Sequence, residues 1–405
     1  MEQSAFKAYG YRWVVLAVFM VAAAMNQLLW ITFAPITSGA ATYYGVSALS
    51  IGLLSMSFMV TYLVFTIPAS WVIDKFGFRV AVTIGAVLTG VFGLMRGLAG
   101  ANYGLVLAAQ VGIAIGQPFI INAVTTVSAR WFPVGERATA TGLGSLAMYV
   151  GILTGLMLTP WLSLHSGMTT LLLVYGAVAL VAAVAFALLA REHPPTPIGP
   201  AALEERALMF DGLKAALRKR DFQLLMLVFF IGLGIFNAVT TWIEEIVRPR
   251  GFTSVDAGNA GGLMILGGVI GAVILPMLSD RARRRMPFIL IALAGATVGL
   301  IGVTFANTTL LLMLSSLVLG FFLLSSGPIG FQYGAEITHP TPEGTSTGLL
   351  LLMGQVSGIA FIFAMDAFKS GATGSMTLSL VVLIVLMALG LLVATRLHEP
   401  EQLHM

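Results

Sequence analysis

The side chains here that could do chemistry are amides and one indole set inside long apolar runs: Asn26, Trp30, Gln117, Asn237 and Gln355. An amide surrounded by hydrocarbon is expensive unless it meets a partner, a cavity or water. Asn26 and Trp30 are four apart and share a helical face, as Gln110 and Gln117 do at seven. Such groups bind; they do not cleave. The chain has no cysteine, and its five histidines, His165, His193, His339, His398 and His404, fall in loops or tails without an acid or nucleophile at usable spacing. No enzyme, catalytic residue, cofactor or metal site is expected.

A tryptophan face and amide oxygens, with no acid or base among them, suit a small neutral solute or a soft cation. A quaternary ammonium donates no ordinary hydrogen bond and is held by a ring face at about 2 kcal/mol when desolvated. Trp30 supplies one such face. A proton-coupled carrier needs an internal carboxylate that is stable both charged and neutral. The first, fourth and tenth runs have none in their central stretches. Glu244 and Glu245 lie near the end of the seventh, close to Arg248 and Arg250, and Asp366 lies beside Lys369. Facilitated diffusion is the simpler expectation, with Glu244 or Glu245 the nominees if protons take part. Arg96, at the end of the third run, is expected to snorkel to the interface.

A membrane bundle must position these groups. The 405 residues are 58% hydrophobic and 9% charged, with a mean hydropathy of +0.96. A soluble domain of this size could not cover its surface with so few charges, whereas a helical bundle solvated by lipid can. The 45 glycines suit close helix approach. Counted by their polar breaks, the apolar runs are 13–38, 49–73, 79–100, 103–129, 138–161, 168–190, 222–246, 256–279, 287–306, 308–331, 346–368 and 373–396. These twelve predict an all-α membrane protein, and the first is too long for a cleaved signal. Domains of 1–190 and 222–405 are expected as six-helix bundles, joined by a cytoplasmic linker, 191–221, with a short amphipathic helix over 201–217. By length, Gln117, Asn237 and Gln355 fall near mid-membrane, with Trp30 further out. If the amino terminus is cytoplasmic, 17 of the 21 Lys and Arg lie inside, so both termini are placed there. The net charge of +4 then reflects topology, and no nucleic acid partner is expected.

The chain also repeats itself. An offset of 206 pairs Gly45 with Gly251, Ser47 with Thr253, Asp74 with Asp280, Lys75 with Arg281 and Arg79 with Arg285. A second echo sets Thr141-Gly142 against Thr347-Gly348. A duplicated half in so hydrophobic a chain marks a transporter of two like halves.

The loop Asp74-Lys75-Phe76-Gly77-Phe78-Arg79, with its copy Asp280-Arg281-Ala282-Arg283-Arg284-Arg285, resembles the cytoplasmic signature of the major facilitator superfamily. The leading glycine is replaced by Ser70 and Pro276, and Arg283 stands at the second glycine. Asp74, Lys75, Arg79, Asp280 and Arg281 are expected to form a conformational latch, the Asp accepting amides from a facing helix and the base pairing across the gap. Further stretches resemble the feline leukaemia virus subgroup C receptor-related branch, linked to choline, ethanolamine and haem transport. They are Tyr11-Arg12-Trp13-Val14-Val15, Asn26-Gln27-Leu28-Leu29-Trp30, Gln117-Pro118-Phe119-Ile120, and Glu336-Ile337-Thr338-His339-Pro340 leading to Gln355. The resemblance implies a central site with an aromatic on the first span, a second on the seventh, and glutamines on the fourth and eleventh. Trp30, Gln117 and Gln355 match; Asn237 stands where choline-transporting members carry a tyrosine. With the histidines outside the runs, haem is not the expected cargo.

The function expected is movement of a small organic solute, such as choline or another quaternary ammonium or amine, by alternating access without strong coupling. The alternative is a proton-coupled exporter of lipophilic compounds, with a membrane receptor or enzyme behind it. The expected partners are that solute and the bilayer, the expected state a monomer, and the expected place, from compact loops and short tails, a bacterial inner membrane.

Overall fold

The structure, a computed structural model, describes residues 9–196, 214, 216–339 and 343–399, with no strand among them. Eleven helices among the described residues are long and apolar enough to cross a membrane. One of them, Gly135–Leu189, has 55 residues, about 80 Å at the α-helical rise and more than twice a hydrocarbon core. Gly167 breaks it, with φ 76° and ψ 168°, into two crossings. Twelve spans result. In chain order, spans one to four are Arg12–Tyr44, Ala48–Phe76, Phe78–Leu98 and Tyr103–Trp131, and five and six are the two arms of Gly135–Leu189. Seven to twelve are Arg220–Thr241, Ser254–Ala282, Met286–Phe305, Thr309–Thr338, Ser346–Ala367 and Thr377–Ala394.

The sequence repeat is a repeat of helix-ending devices. Ser47 caps span two by accepting the Ser50 amide at 3.2 Å, and Thr253 caps span eight in a reciprocal box with Asp256. Span one bends through a 3-10 turn, Ala34–Ile36, at Pro35, which has no amide to give the carbonyl of Ile31. It stops at left-handed Gly45. Span seven is followed by the same pair of devices, the 3-10 turn Arg248–Arg250 holding Pro249 and then left-handed Gly251.

The chain divides into two compact units, 1–204 and 205–405. In the first, span one packs on five, two on four and three on six. In the second, seven packs on eleven, eight on ten and nine on twelve. Small residues permit this approach: a Cβ at Gly151 would overlap the carbonyl of Ala24, and one at Gly320 that of Met264. Phe19, Phe78, Trp131, Phe132 and Phe186 fill the core of the first unit. Large apolar side chains such as Val64, Ile67, Val181, Val273, Val298 and Leu310 point outward, as lipid rather than water as the solvent requires. The expected linker helix, 201–217, lies outside the described residues except for Lys214, Ala216 and Leu217.

Candidate substrate site and its supporting network

In the first unit Trp30 is buried one residue before the end of the straight part of span one, and its indole Nε1 donates to the carbonyl of Ser55 on span two at 3.2 Å. That bond fixes the ring plane. Asn26, one turn earlier, is fully buried. Its Nδ2 donates to Thr89 Oγ1 at 3.0 Å and to the carbonyl of Ile113 at 3.4 Å, while its oxygen accepts Gln27 Nε2 at 3.2 Å. Asn26 therefore ties spans one, three and four together. Gln117 is also buried, yet its amide makes no hydrogen bond among the described residues. Pro118 follows it inside the helix and withholds an amide from the turn above.

In the second unit Asn237 Nδ2 donates to the carbonyl of Gly354 at 3.1 Å, which joins spans seven and eleven beside Gln355. Gln355 is half-buried and, like Gln117, makes no hydrogen bond among the described residues. Phe236 is half-buried next to Asn237. Glu244 and Glu245 are both buried. Glu245 is doubly paired, with Arg248 at 3.0 Å and with Lys369, and so staples the chain after span seven to the end of span eleven.

Arg96 does not snorkel. It is fully buried, and its Nη1 donates to the carbonyl of Leu29 at 3.0 Å and to Gln110 Oε1 at 2.7 Å. Nη2 reaches Thr32 Oγ1 at 3.3 Å. The bend after Ile31 presents carbonyl and hydroxyl oxygens to span three, and these compete successfully with the interface for the guanidinium.

Acids outside the repeated loops also bind them. Asp74 and Lys75 are exposed, with Lys75 Nζ 4.7 Å from the Trp71 ring centre, and Arg79 Nη2 donates to the carbonyl of Ala187 at 3.1 Å. The first amides of span three, on Phe78 and Arg79, are taken by Glu192 at 3.1 and 2.7 Å, and Glu192 also pairs with Arg130. In the second unit Glu399 takes the amides of Arg285 and Met286. Asp280 pairs with Arg285, which also pairs with Glu336 at 2.9 Å, while Arg281 is exposed. Burial opposes the Arg285 charge, but its bonds to Glu336 and Asp280 outweigh that and raise its pKa. Sequence reasoning passed over Glu192 and Glu399, and named Glu336 within a motif without giving it a pairing role. A signal was present: Glu399 follows Glu192 at 207, and Glu336 stands 206 after Arg130, with the charge reversed.

Set beside known proteins, residues 17–362 match the sequence model of the Major Facilitator Superfamily. The chain belongs to that superfamily. Within it the chain falls in the branch related to the feline leukaemia virus subgroup C receptor. It is 31% identical over 380 residues to solute carrier family 49 member A3 of Danio rerio, covering 90% of this chain and 80% of that one. It is 28% identical over 382 residues to the choline/ethanolamine transporter FLVCR2 of Homo sapiens, covering 89% and 72%. The crystal structure of a bacterial homologue of the lysosomal transporter Spinster superposes with a TM-score of 0.77 over 96% of this chain and 98% of the other, at 18% identity. This superfamily member is a multi-pass membrane transporter.

Proposed function

We propose that the protein carries a small quaternary ammonium or amine of the choline type by alternating access and without strong ion coupling, with Trp30, Gln117, Asn237 and Gln355 contributing to the site. One observation carries the reading: of the amides placed near mid-membrane, Gln117 and Gln355 make no hydrogen bond among the described residues, while Asn237 is partly spent on Gly354. Uncommitted amides in a span are reserved for a ligand or water. The indole of Trp30, oriented by Ser55, offers the ring face a desolvated cation needs. The similarity to a choline/ethanolamine transporter points to the same chemistry. Asn26 serves this site by holding span one. The excess of basic residues on one side supports a cytoplasmic location for both termini, and the compact loops suit a bacterial inner membrane.

The test is thermal stabilisation of the detergent-purified protein by a panel of choline, ethanolamine, neutral amino acids, vitamins and lipophilic cations, followed by flux into proteoliposomes. Stabilisation and saturable uptake are expected for choline-type amines. Stabilisation by lipophilic cations alone, with uptake driven by a pH gradient, would establish the proton-coupled exporter instead.

A further inference from the structure

Arg96 lies at the end of span three away from Arg79, fully buried, and it forms no ion pair among the described residues. Both hydrogens of Nη1 are committed, to Leu29 and Gln110, and Nη2 gives one to Thr32. The hydrogen on Nε and the second hydrogen on Nη2 remain. Nε and Nη2 form the edge of the planar fork that grips a carboxylate with two bonds. Arg96 Nε is buried without a hydrogen bond among the described residues, and so is the hydroxyl of Tyr44. Both side chains meet at Phe33: the Arg96 Cζ stands 5.1 Å from that ring centre and the Tyr44 ring 6.2 Å from it.

A buried guanidinium is tolerated when an opposite charge accompanies it. Water would satisfy the two donors and leave the charge. We infer that the buried polar cluster of Arg96, Tyr44, Thr32 and Gln110 around Phe33 binds a small monovalent anion, gripped by the Nε–Nη2 edge of Arg96 and the hydroxyl of Tyr44. The same chemistry admits two sources, a free halide or a carboxylate carried by the solute. Arg96 is bonded to the carbonyl of Leu29, next to Trp30. An uncompensated charge there would oppose a cation on the indole, and a bound anion removes that opposition. The site itself stands on the geometry of the first unit; only its effect on a cation rests on the function proposed above.

The test uses the full chain in detergent at constant ionic strength, with a bulky sulfonate as reference anion, titrated with sodium chloride, sodium acetate or glycine betaine. The unfolding temperature is expected to rise saturably by about 2 °C or more. Tyr44→Phe deletes a hydroxyl that has no partner among the described residues, so the fold is expected to be retained and the half-saturating concentration to rise about tenfold. A response to chloride assigns the site to a halide. A response to acetate or glycine betaine without chloride assigns it to a carboxylate. No response to any of the three, or identical titrations in wild type and Tyr44→Phe, overturns the inference. Choline added at fixed chloride reports on the Trp30 site separately, so the two readings fail independently.

Discussion

Glu192 and Glu399 stand 207 positions apart and do the same work, each carboxylate accepting two successive amides where a span begins, Phe78 and Arg79 for the one, Arg285 and Met286 for the other. A carboxylate at a helix amino terminus meets unpaired N–H groups and the positive end of the helix dipole. Each acid returns from the segment that follows the last span of its unit, so it holds that segment against the start of an internal span.

Replacing Glu192 by Gln keeps the shape and removes the charge from both the amides and Arg130. A loss of about 1–2 kcal/mol is expected, with Glu399→Gln behaving alike. The check is thermal unfolding in detergent, with Asp74→Asn alongside. If Asp74→Asn destabilises as much and Glu192→Gln does nothing, the loop acids and not the returning ones organise these turns.

Gly77 and Arg283 occupy equivalent places, 206 apart, and both have positive φ, 89° and 50°. Arg283 is left-handed, with ψ 40°, which costs arginine about 1 kcal/mol or slightly more, whereas Gly77, with ψ 166°, is in a region that essentially only glycine adopts. Arg283→Gly is therefore expected to raise stability by about that amount. Gly77→Ala is expected to lower it further, because a Cβ there would also overlap the Glu192 carboxylate. Equal and small effects at the two sites would show that backbone strain is not what distinguishes them.

Much of this was legible before any coordinates. Apolar run length alone yields twelve spans, since one hydrocarbon thickness fixes the length of each, and the offset of 206 marks Gly45 and Gly251, Ser47 and Thr253, which do end and start helices in both units. The fate of individual polar side chains was not legible. Asn26 and Gln117 look alike in sequence, yet one is saturated by Thr89 and Ile113 and the other makes no hydrogen bond among the described residues. That depends on which neighbour lies opposite at a given height. Arg96 shows the same limit: its position near a span end suits the interface, and only the bend of span one at Pro35 reveals oxygens worth turning inward for.

Glu245 tests whether an acid in this chain couples protons or holds structure. It is 1% exposed and bound to both Arg248 and Lys369. Removing the acid from such a group leaves positive charge facing a buried site, so Glu245→Gln is expected to cost about 1–3 kcal/mol, at the lower end because Arg248 is half exposed. The pH profile of transport is expected to keep its shape, and Lys369→Met is expected to restore part of the stability lost in Glu245→Gln. A profile that flattens in Glu245→Gln without loss of stability would identify a coupling acid.

Trp30 separates ring chemistry from packing. Its Nε1 bond to Ser55 positions the indole, and Trp30→Phe keeps a π face while losing that bond and some quadrupole strength. Choline-type affinity is expected to fall about tenfold in Trp30→Phe and to be abolished in Trp30→Ala, read by isothermal titration in detergent. Gln117→Leu and Gln355→Leu remove amides that hold nothing in place among the described residues, so they are expected to leave stability within about 0.5 kcal/mol of wild type while weakening binding about three- to tenfold each. Asn237→Leu behaves differently on this view: it also breaks the bond to the carbonyl of Gly354, so it lowers stability by about 1 kcal/mol as well as affinity. If the two glutamine variants lose stability and keep affinity, those amides are structural glue, and the site must be sought around other side chains than these.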